Sequence, residues 1–386
     1  MMGPLRIALL THSTNPRGGV VHALELGEAL VRLGHRVTVF APGIPGAAFF
    51  RETACTTVCV PASTAGPGVR AMVQARAADY VRYFERAENR LFDVWHAQDG
   101  ISGNALATLK ERGLISAFAR TVHHVDVFAD TQLSALQARA IRAADHLFVV
   151  GRLWRDFLLR EFGKEAHCVG NGVDSARFSP QADATDADLR EHLDLPPWAM
   201  VFLSIGGIEE RKNTLRILQA FQLLRPQYPE ARLVIAGGAS LLDHSEYQAR
   251  FAGALAHCGR SGSTVIRTGA LRQKLMPPLY RAATSLVFPS TSEGFGLTVL
   301  EAMASGVPVV TSRIAPFTEY LGDGDVAWCD PFNTASIAAA MALSLEPARR
   351  STLVARGFEV AARHDWAATA RAHLVTYQTL AESVHA

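Results

Sequence analysis

The chain is predicted to be an α/β protein of two domains, each a parallel sheet wrapped in helices. Three observations carry this. Short apolar runs alternate with longer amphipathic stretches from end to end, the pattern of βαβ units whose strands are buried on both faces. The alternation lapses once, between Asp174 and Pro197, and then restarts. The 386 residues suit two domains, at roughly 150 residues each.

The elements follow in order. Arg6–Leu10 is the first strand candidate. Val20–Leu33 then places Leu24, Leu26, Leu30, Val31 and Leu33 at helical spacing and closes at Gly34-His35. Val37–Phe40, Asp93–His96, Ala119–Val122, His146–Val150 and Cys168–Gly170 are further strands, with helical patterns between most of them; one runs over about Val69–Arg90. Ser179-Pro180, the Asp/Ala run at 183–188 and Pro196-Pro197 read as a connector with room for one short helix. Beyond it, strands are predicted at Met200–Ile205, Ala231–Ala236, Thr264–Arg267, Ser285–Phe288 and Pro308–Thr311. Helices are predicted at Asn213–Gln227, Glu246–Cys258, Gln273–Ala282, Gly296–Ser305, Asn333–Leu345 and Asp365–Glu382.

Composition narrows the function. Hydrophobic residues make up 49% and charged residues 19%, so the chain is not disordered. Lys plus Arg is 38 against 36 Asp plus Glu, and a net charge of +2 gives no support for nucleic-acid binding. No apolar run approaches the ~18 residues of a membrane span. Ile7–Leu10 is too short for a signal-peptide core of roughly 7–15 residues. The 5 cysteines are odd in number and form no C-x-x-C, which argues against a disulfide framework or zinc ribbon. The expected compartment is the cytoplasm.

The most informative stretch runs from Phe288-Pro289 to Gly306-Val307-Pro308. A strand ends, a polar turn follows, and a helix opens near Gly296 and stops at Gly306. Ligands of open parallel sheets bind beyond the carboxyl ends of the strands, where this turn lies. Amides of Phe295, Gly296 and Leu297 at the helix start suit an anionic phosphate, and Gly294 and Gly296 allow close approach. Glu293 precedes the helix and Glu301 lies inside it, among Leu297, Val299, Leu300, Ala302, Met303 and Ala304. A carboxylate drawn out of water there needs a partner. Either it holds backbone amides, or it accepts from the two neighbouring hydroxyls of a ribose.

This segment resembles the E-x7-E signature of the retaining glycosyltransferase family 4, which has the GT-B fold: two Rossmann-like doubly wound domains facing a central cleft. Gly18-Gly19 is similar to the family's glycine turn at the donor phosphates, Thr121-Val-His-His to its T-x-H element, and Val169-Gly-Asn-Gly-Val-Asp to its N-G-V-D stretch. Ser204-Ile-Gly-Gly-Ile-Glu-Glu-Arg-Lys-Asn resembles the segment that carries a phosphate-binding lysine. The resemblance implies that Glu301 holds the ribose, that Glu293 contacts the transferred sugar and that amides around Phe295–Leu297 take the diphosphate. It places Lys212 on the β-phosphate and His123 near the reacting centre. It departs at one point: the family's usual arginine, five residues before the lysine, is here Gly207. Arg211, next to Lys212, is expected to diverge from it, as neighbours on a turn entering a helix do.

The implied domains are residues 1–172 with 364–386, on the acceptor side, and 173–363, which binds the nucleotide sugar. The final helix is expected to return to the first domain. The implied reaction moves a sugar from a nucleotide donor, with UDP- or GDP-sugars expected, to an acceptor hydroxyl with retention, without metal or other cofactor. Catalytic roles fall to Lys212, Glu293 and His123, and donor binding adds Gly18, Gly19, Gly294, Phe295, Gly296, Leu297 and Glu301. The alternatives are an epimerase or phosphorylase on the same fold, or a non-catalytic nucleotide-sugar binder.

Other constellations carry less. Asp323-Gly-Asp325 sits between glycines and reads as a turn rather than a metal site. His123 and His124 point to opposite faces if extended, so both cannot meet one ion. Gly18-Gly19 lacks G-x-G-x-x-G, and no G-x-x-x-x-G-K-[ST] occurs, which argues against NAD binding and a P-loop. Arg70, Arg76, Arg82, Arg86 and Arg90 recur along one helix. They suit either anionic lipid headgroups, as in a peripheral membrane contact, or a solvated face paired with Asp79, Glu85 and Glu88.

Overall fold

A computed structural model describes residues 3–238 and 244–385. The chain forms two compact units, Met1–Gly172 with Asp365–Ala386, and Val173–His364.

Unit 1 opens with β1 (Arg6–Leu10), α1 (Gly18–Arg32), β2 (Arg36–Gly43), β3 (Thr56–Pro61) and α2 (Val69–Phe84). It continues with β4 (Val94–Ala97), α3 (Gly100–Glu111), β5 (Ala119–Val122), α4 (Thr131–Arg142), β6 (His146–Val149), α5 (Arg152–Phe162) and β7 (His167–Cys168). The strands form one sheet in the order β3-β2-β1-β4-β5-β6-β7, every neighbouring pair parallel. Ile7, Ala8, Leu9 and Leu10 of β1 are fully buried, which is why a continuous apolar run, not an alternating one, marks this central strand.

Unit 2 contains α6 (Thr185–His192), β8 (Val201–Ile205), α7 (Thr214–Leu224), β9 (Arg232–Ala236), α8 (Ser245–His257), β10 (Val265–Gly269) and α9 (Met276–Ala282). Then come β11 (Ser285–Phe288), α10 (Leu297–Ala304), β12 (Val309–Ser312), α11 (Phe317–Tyr320), β13 (Ala327–Cys329), α12 (Thr334–Leu343) and α13 (Pro347–Ala362). Its sheet runs β10-β9-β8-β11-β12-β13, again all parallel. Phe202, Phe221, Ile235, Val287 and Val310 anchor its core. The last helix, α14 (Trp366–His385), belongs to unit 1 and packs on α1 and β4.

In each sheet the strand order reverses once, between β1 and β4 and between β8 and β11. Such reversal points open a crevice at the carboxyl ends of the strands. Gly18-Gly19 follows β1; the Gly206–Lys212 and Glu293–Gly296 turns follow β8 and β11.

Several elements, α11 among them, lie outside the ranges expected from the sequence. β3 (Thr-Thr-Val-Cys-Val-Pro) is an edge strand with exposed threonines, so it shows no apolar run. β13 has only 3 residues. α13 begins at Pro347 and carries an exposed polar face. The expected connector is a packed part of unit 2: α6 lies on α9, and Arg281 pairs with Asp186 at 2.7 Å and with Asp183 at 3.0 Å. The helix expected over 69–90 stops at Phe84, and a 3-10 turn at Ala87–Asn89 follows.

Candidate active site

In unit 2, β8 ends in the backbone turn Gly206-Gly207 and a 3-10 turn at Glu210–Lys212. Lys212 is 8% exposed, and its Nζ donates to Glu293 Oε1 at 2.6 Å. The same ammonium lies 4.4 Å from the Phe288 ring centroid. Arg211 Nη1 reaches the same Glu293 oxygen at 3.3 Å while its Nε lies 3.2 Å from Glu209 Oε2. The expected divergence of Arg211 and Lys212 is therefore corrected. The tight 3-10 turn, with Asn213 in a left-handed conformation after it, swings both cations onto one carboxylate. Burial alone pushes the Glu293 carboxyl up, but Lys212 and Arg211 together hold it below the ordinary carboxylate value. Burial lowers the Lys212 pKa, and Glu293 opposes this.

The position of the missing arginine is explained by backbone packing. Gly207 has φ +75, and a Cβ there would lie 2.7 Å from Gly238 O. Next to it, a Cβ on Gly206 would lie 2.5 Å from Lys212 Cε. The turn after β8 is pressed against the turn after β9 and against the lysine stem, so a side chain at Gly207 has no room.

Gly294, Phe295, Gly296 and Leu297 form the turn from β11 into α10. Gly296 is the N-cap, with φ +100, and no side chain caps the helix. A Cβ on Gly296 would lie 2.6 Å from Phe317 Cε1, which pins the turn against α11. Phe295 is buried and stacks on Tyr320 at 4.6 Å, and the Tyr320 hydroxyl donates to Phe295 O at 3.2 Å. Glu301, one turn inside α10, is partly buried. Its Oε2 accepts from the Tyr280 hydroxyl at 2.5 Å. Burial raises its pKa, with the Tyr280 bond and the charge of Arg177 pulling the other way. Glu293 and Glu301 share no partner among the described residues.

In unit 1, Gly18 and Gly19 are the first residues of α1, again without a side-chain cap. His123 follows β5, and its ring lies against Gly19: a Cβ on Gly19 would be 3.3 Å from His123 Cδ2. Around it stand residues that the sequence reading did not single out. The His22 ring meets His123 edge-on at 4.8 Å, and His22 Nδ1 bonds to Asn171 Oδ1 at 2.7 Å, which gives the N-G-V-D stretch a structural task. His96 bonds to the hydroxyls of Tyr377 and Thr121 at 2.6 and 2.8 Å. His373 bonds to Thr369 O. Burial pushes His22 down to about 4 and His373 to about 3, and holds His96 and His123 well below the ordinary value. This nest is neutral at pH 7. Besides the T-x-H element, the histidine and tyrosine at i and i+4 on the final helix are a sign of it legible in the sequence.

The remaining candidates have other partners. His124 is exposed and pairs with Asp126 at 3.3 Å. Asp323 pairs with Arg313, while Asp325 caps Gly322 N at 2.8 Å and pairs with Arg356. Among the described residues, no group of three or more His, Cys, Asp or Glu is placed to hold a metal ion. Arg76 and Arg82 pair with buried Asp79, and Arg112 takes Glu85. Arg90 bonds to the carbonyls of Phe84 and Glu85, so much of the arginine stripe is spent within the protein. No helix of the described residues is long and apolar enough to cross a membrane.

Comparison with known proteins agrees over both units. The family described as Glycosyltransferase Family 4 matches residues 16–177, and Glycosyl transferases group 1 matches residues 186–357. The D-inositol 3-phosphate glycosyltransferase 2 of Catenulispora acidiphila is 29% identical over 99% of this chain and 97% of its own length. Among solved structures, sucrose-phosphate synthase from Thermosynechococcus elongatus superposes with a TM-score of 0.80 at 23% identity, covering 97% of this chain and 99% of that one. HepE of Anabaena, solved with UDP and glucose, superposes at 0.77 with 17% identity, covering 97% of this chain and 100% of that one. With both halves matched and two parallel Rossmann-like sheets, the chain belongs to the family 4, group 1 glycosyltransferases of GT-B fold and is a hexosyltransferase-type enzyme.

Proposed function

We propose that the enzyme is a retaining, metal-independent transferase that moves a hexose from a nucleoside-diphosphate sugar to an acceptor hydroxyl. The observation that carries this is the convergence of Lys212 and Arg211 on Glu293, in the same unit as the uncapped start of α10. Without ligand, Glu293 neutralises the cations. A diphosphate arriving at the α10 amides offers them stronger partners. They turn to phosphate oxygens, and Glu293 is released to accept from a sugar hydroxyl. As the glycosidic bond breaks, negative charge grows on the leaving phosphate, and the two cations stabilise it most in the transition state. Arg211 thus supplies the second charge that Gly207 lacks. The leaving phosphate accepts the acceptor's proton on the same face, which retains the anomeric configuration.

Glu301, in this reading, exchanges its Tyr280 bond for the ribose hydroxyls. In unit 1, the Gly18-Gly19 amides serve the donor phosphates, and His123 serves the sugar. The complex of HepE with UDP and glucose supports a uridine donor, and GDP-sugars remain the other expected donor. Two relatives named for phosphorylated products or acceptors make a polar, hydroxyl-rich acceptor the natural class.

The test is a thermal-shift screen against UDP-, GDP-, ADP- and TDP-sugars, followed by NMR of the product. Stabilisation by one donor and an anomer of unchanged configuration, formed undiminished in EDTA, is expected. An inverted product, or activity lost on chelation and restored by Mg²⁺, overturns the reading.

A further inference from the structure

Among the described residues, the His123 ring makes one hydrogen bond: Nε2 lies 3.1 Å from Gln98 Oε1. Gln98 follows β4 and is 2% exposed, and its amide is sandwiched between two histidines. On the other side, its Nε2 lies 3.3 and 3.4 Å from the two ring nitrogens of His96. Both in-plane nitrogen positions of His96 are already taken, by Tyr377 and Thr121. The amide therefore meets the His96 ring from its face. A neutral imidazole face attracts an N–H and repels a carbonyl oxygen. This sets which way the amide points: its NH₂ to His96 and its oxygen to His123. An oxygen only accepts, so His123 Nε2 must carry the proton. His123 Nδ1, which makes no hydrogen bond among the described residues, then carries a lone pair.

We propose that Gln98 is a positioning residue that locks His123 in its Nε2–H form and leaves Nδ1 as an acceptor for a ligand hydroxyl. The lock is anchored from the far end of the chain: Tyr377 of α14 fixes His96, and His96 fixes the Gln98 amide. The consequence for turnover rests on the role proposed for His123 at the donor sugar; the lock itself does not. The titratable and charged groups facing His123 are His22 from α1, His96 from β4, His373 from α14, and its neighbours Arg120 and His124 on β5 and the strand's extension. All but His124 are buried, and the charge of Arg120 opposes protonation of the ring.

The test is ¹⁵N NMR of the full-length enzyme with labelled histidine, alongside kinetics. Wild type is expected to show His123 as a single Nε2–H tautomer. Gln98→Met keeps the shape and removes the acceptor; it is expected to give a tautomer mixture and about a tenfold loss in kcat with KM for the donor little changed. Tyr377→Phe is expected to give a smaller shift in the same direction. Gln98→Glu keeps an acceptor on Nε2–H and adds a charge, so the tautomer is expected to stay and the His123 titration to move up; this variant carries the test if Gln98→Met does not fold. A His123 tautomer unaltered in Gln98→Met, or a His123 titration unmoved in Gln98→Glu, overturns the proposal. A shifted tautomer with unchanged turnover upholds the lock and instead removes His123 from the proposed reaction.

Discussion

Replacing Lys212 by methionine separates charge from packing at the proposed phosphate site. The lysine stem fills the space against Gly206, and methionine keeps most of that volume. The ammonium is lost, together with its bond to Glu293 at 2.6 Å and its contact with the Phe288 ring. Removing one partner of a buried ion pair ordinarily costs about 3–5 kcal/mol, because the other charge is left unpaired. Here Arg211 stays on the same carboxylate oxygen at 3.3 Å, so the expected loss of stability is smaller, about 1–3 kcal/mol. Catalysis should suffer more. Loss of one preorganised charge-stabilising donor lowers kcat by about 10²–10³, or roughly 3–4 kcal/mol of transition-state stabilisation. Nucleotide affinity should fall less than kcat, since the charge grows as the bond breaks. Arg211→Ala, with a side chain 48% exposed, should cost about 0–1 kcal/mol in stability. The double variant should exceed the sum of the two, because Glu293 then has neither cation. Denaturant midpoints and steady-state kinetics with a confirmed donor measure all of this. Wild-type turnover in a folded Lys212→Met enzyme, or strict additivity in the double variant, would refute the shared-carboxylate reasoning.

Gly207→Arg restores the family's usual residue but should not raise activity. It places a side chain at φ +75 and within 2.7 Å of Gly238 O, so a loss of about 2 kcal/mol or more is expected in thermal unfolding, with weaker nucleotide binding. Glu301→Gln should weaken nucleotide binding by about 1.5–3 kcal/mol in calorimetry with little change in fold; unchanged affinity would leave Glu301 as the partner of Tyr280 only. The buried histidines set an acid limit. Unfolded imidazoles bind protons near 6.5, whereas His22 does so only at about 4 and His373 at about 3. Their contribution to stability is therefore whole above pH 6.5 and is lost as pH falls toward those values, at about 1.4 kcal/mol per pH unit for each histidine. Melting temperature against pH should show this slope, and His373→Leu should flatten it; an unaltered slope would mean that His373 is not held neutral.

Local pattern was enough to place most strands and helices, because buried parallel strands and amphipathic helices write their periodicity into adjacent residues. The turn from Glu293 to Leu297 was legible for the same reason: its glycines, its carboxylate and the helix start are neighbours in sequence. So was Lys212, within one contiguous motif. Contacts made through space were not. That Arg211 joins Lys212 on Glu293 depends on a 3-10 turn, and that Gly207 excludes a side chain depends on the turn after β9, about thirty residues on. Glu301 gave notice that it needed a partner, but Tyr280 comes from another helix. The histidine nest was the least readable part. Its members lie on α1, on β4, just after β5 and on α14, and Tyr377 is 281 residues from the His96 that it fixes. Side-chain type and spacing report what a segment does to itself. Which buried nitrogen meets which hydroxyl is decided only when the sheet closes and the last helix packs upon it.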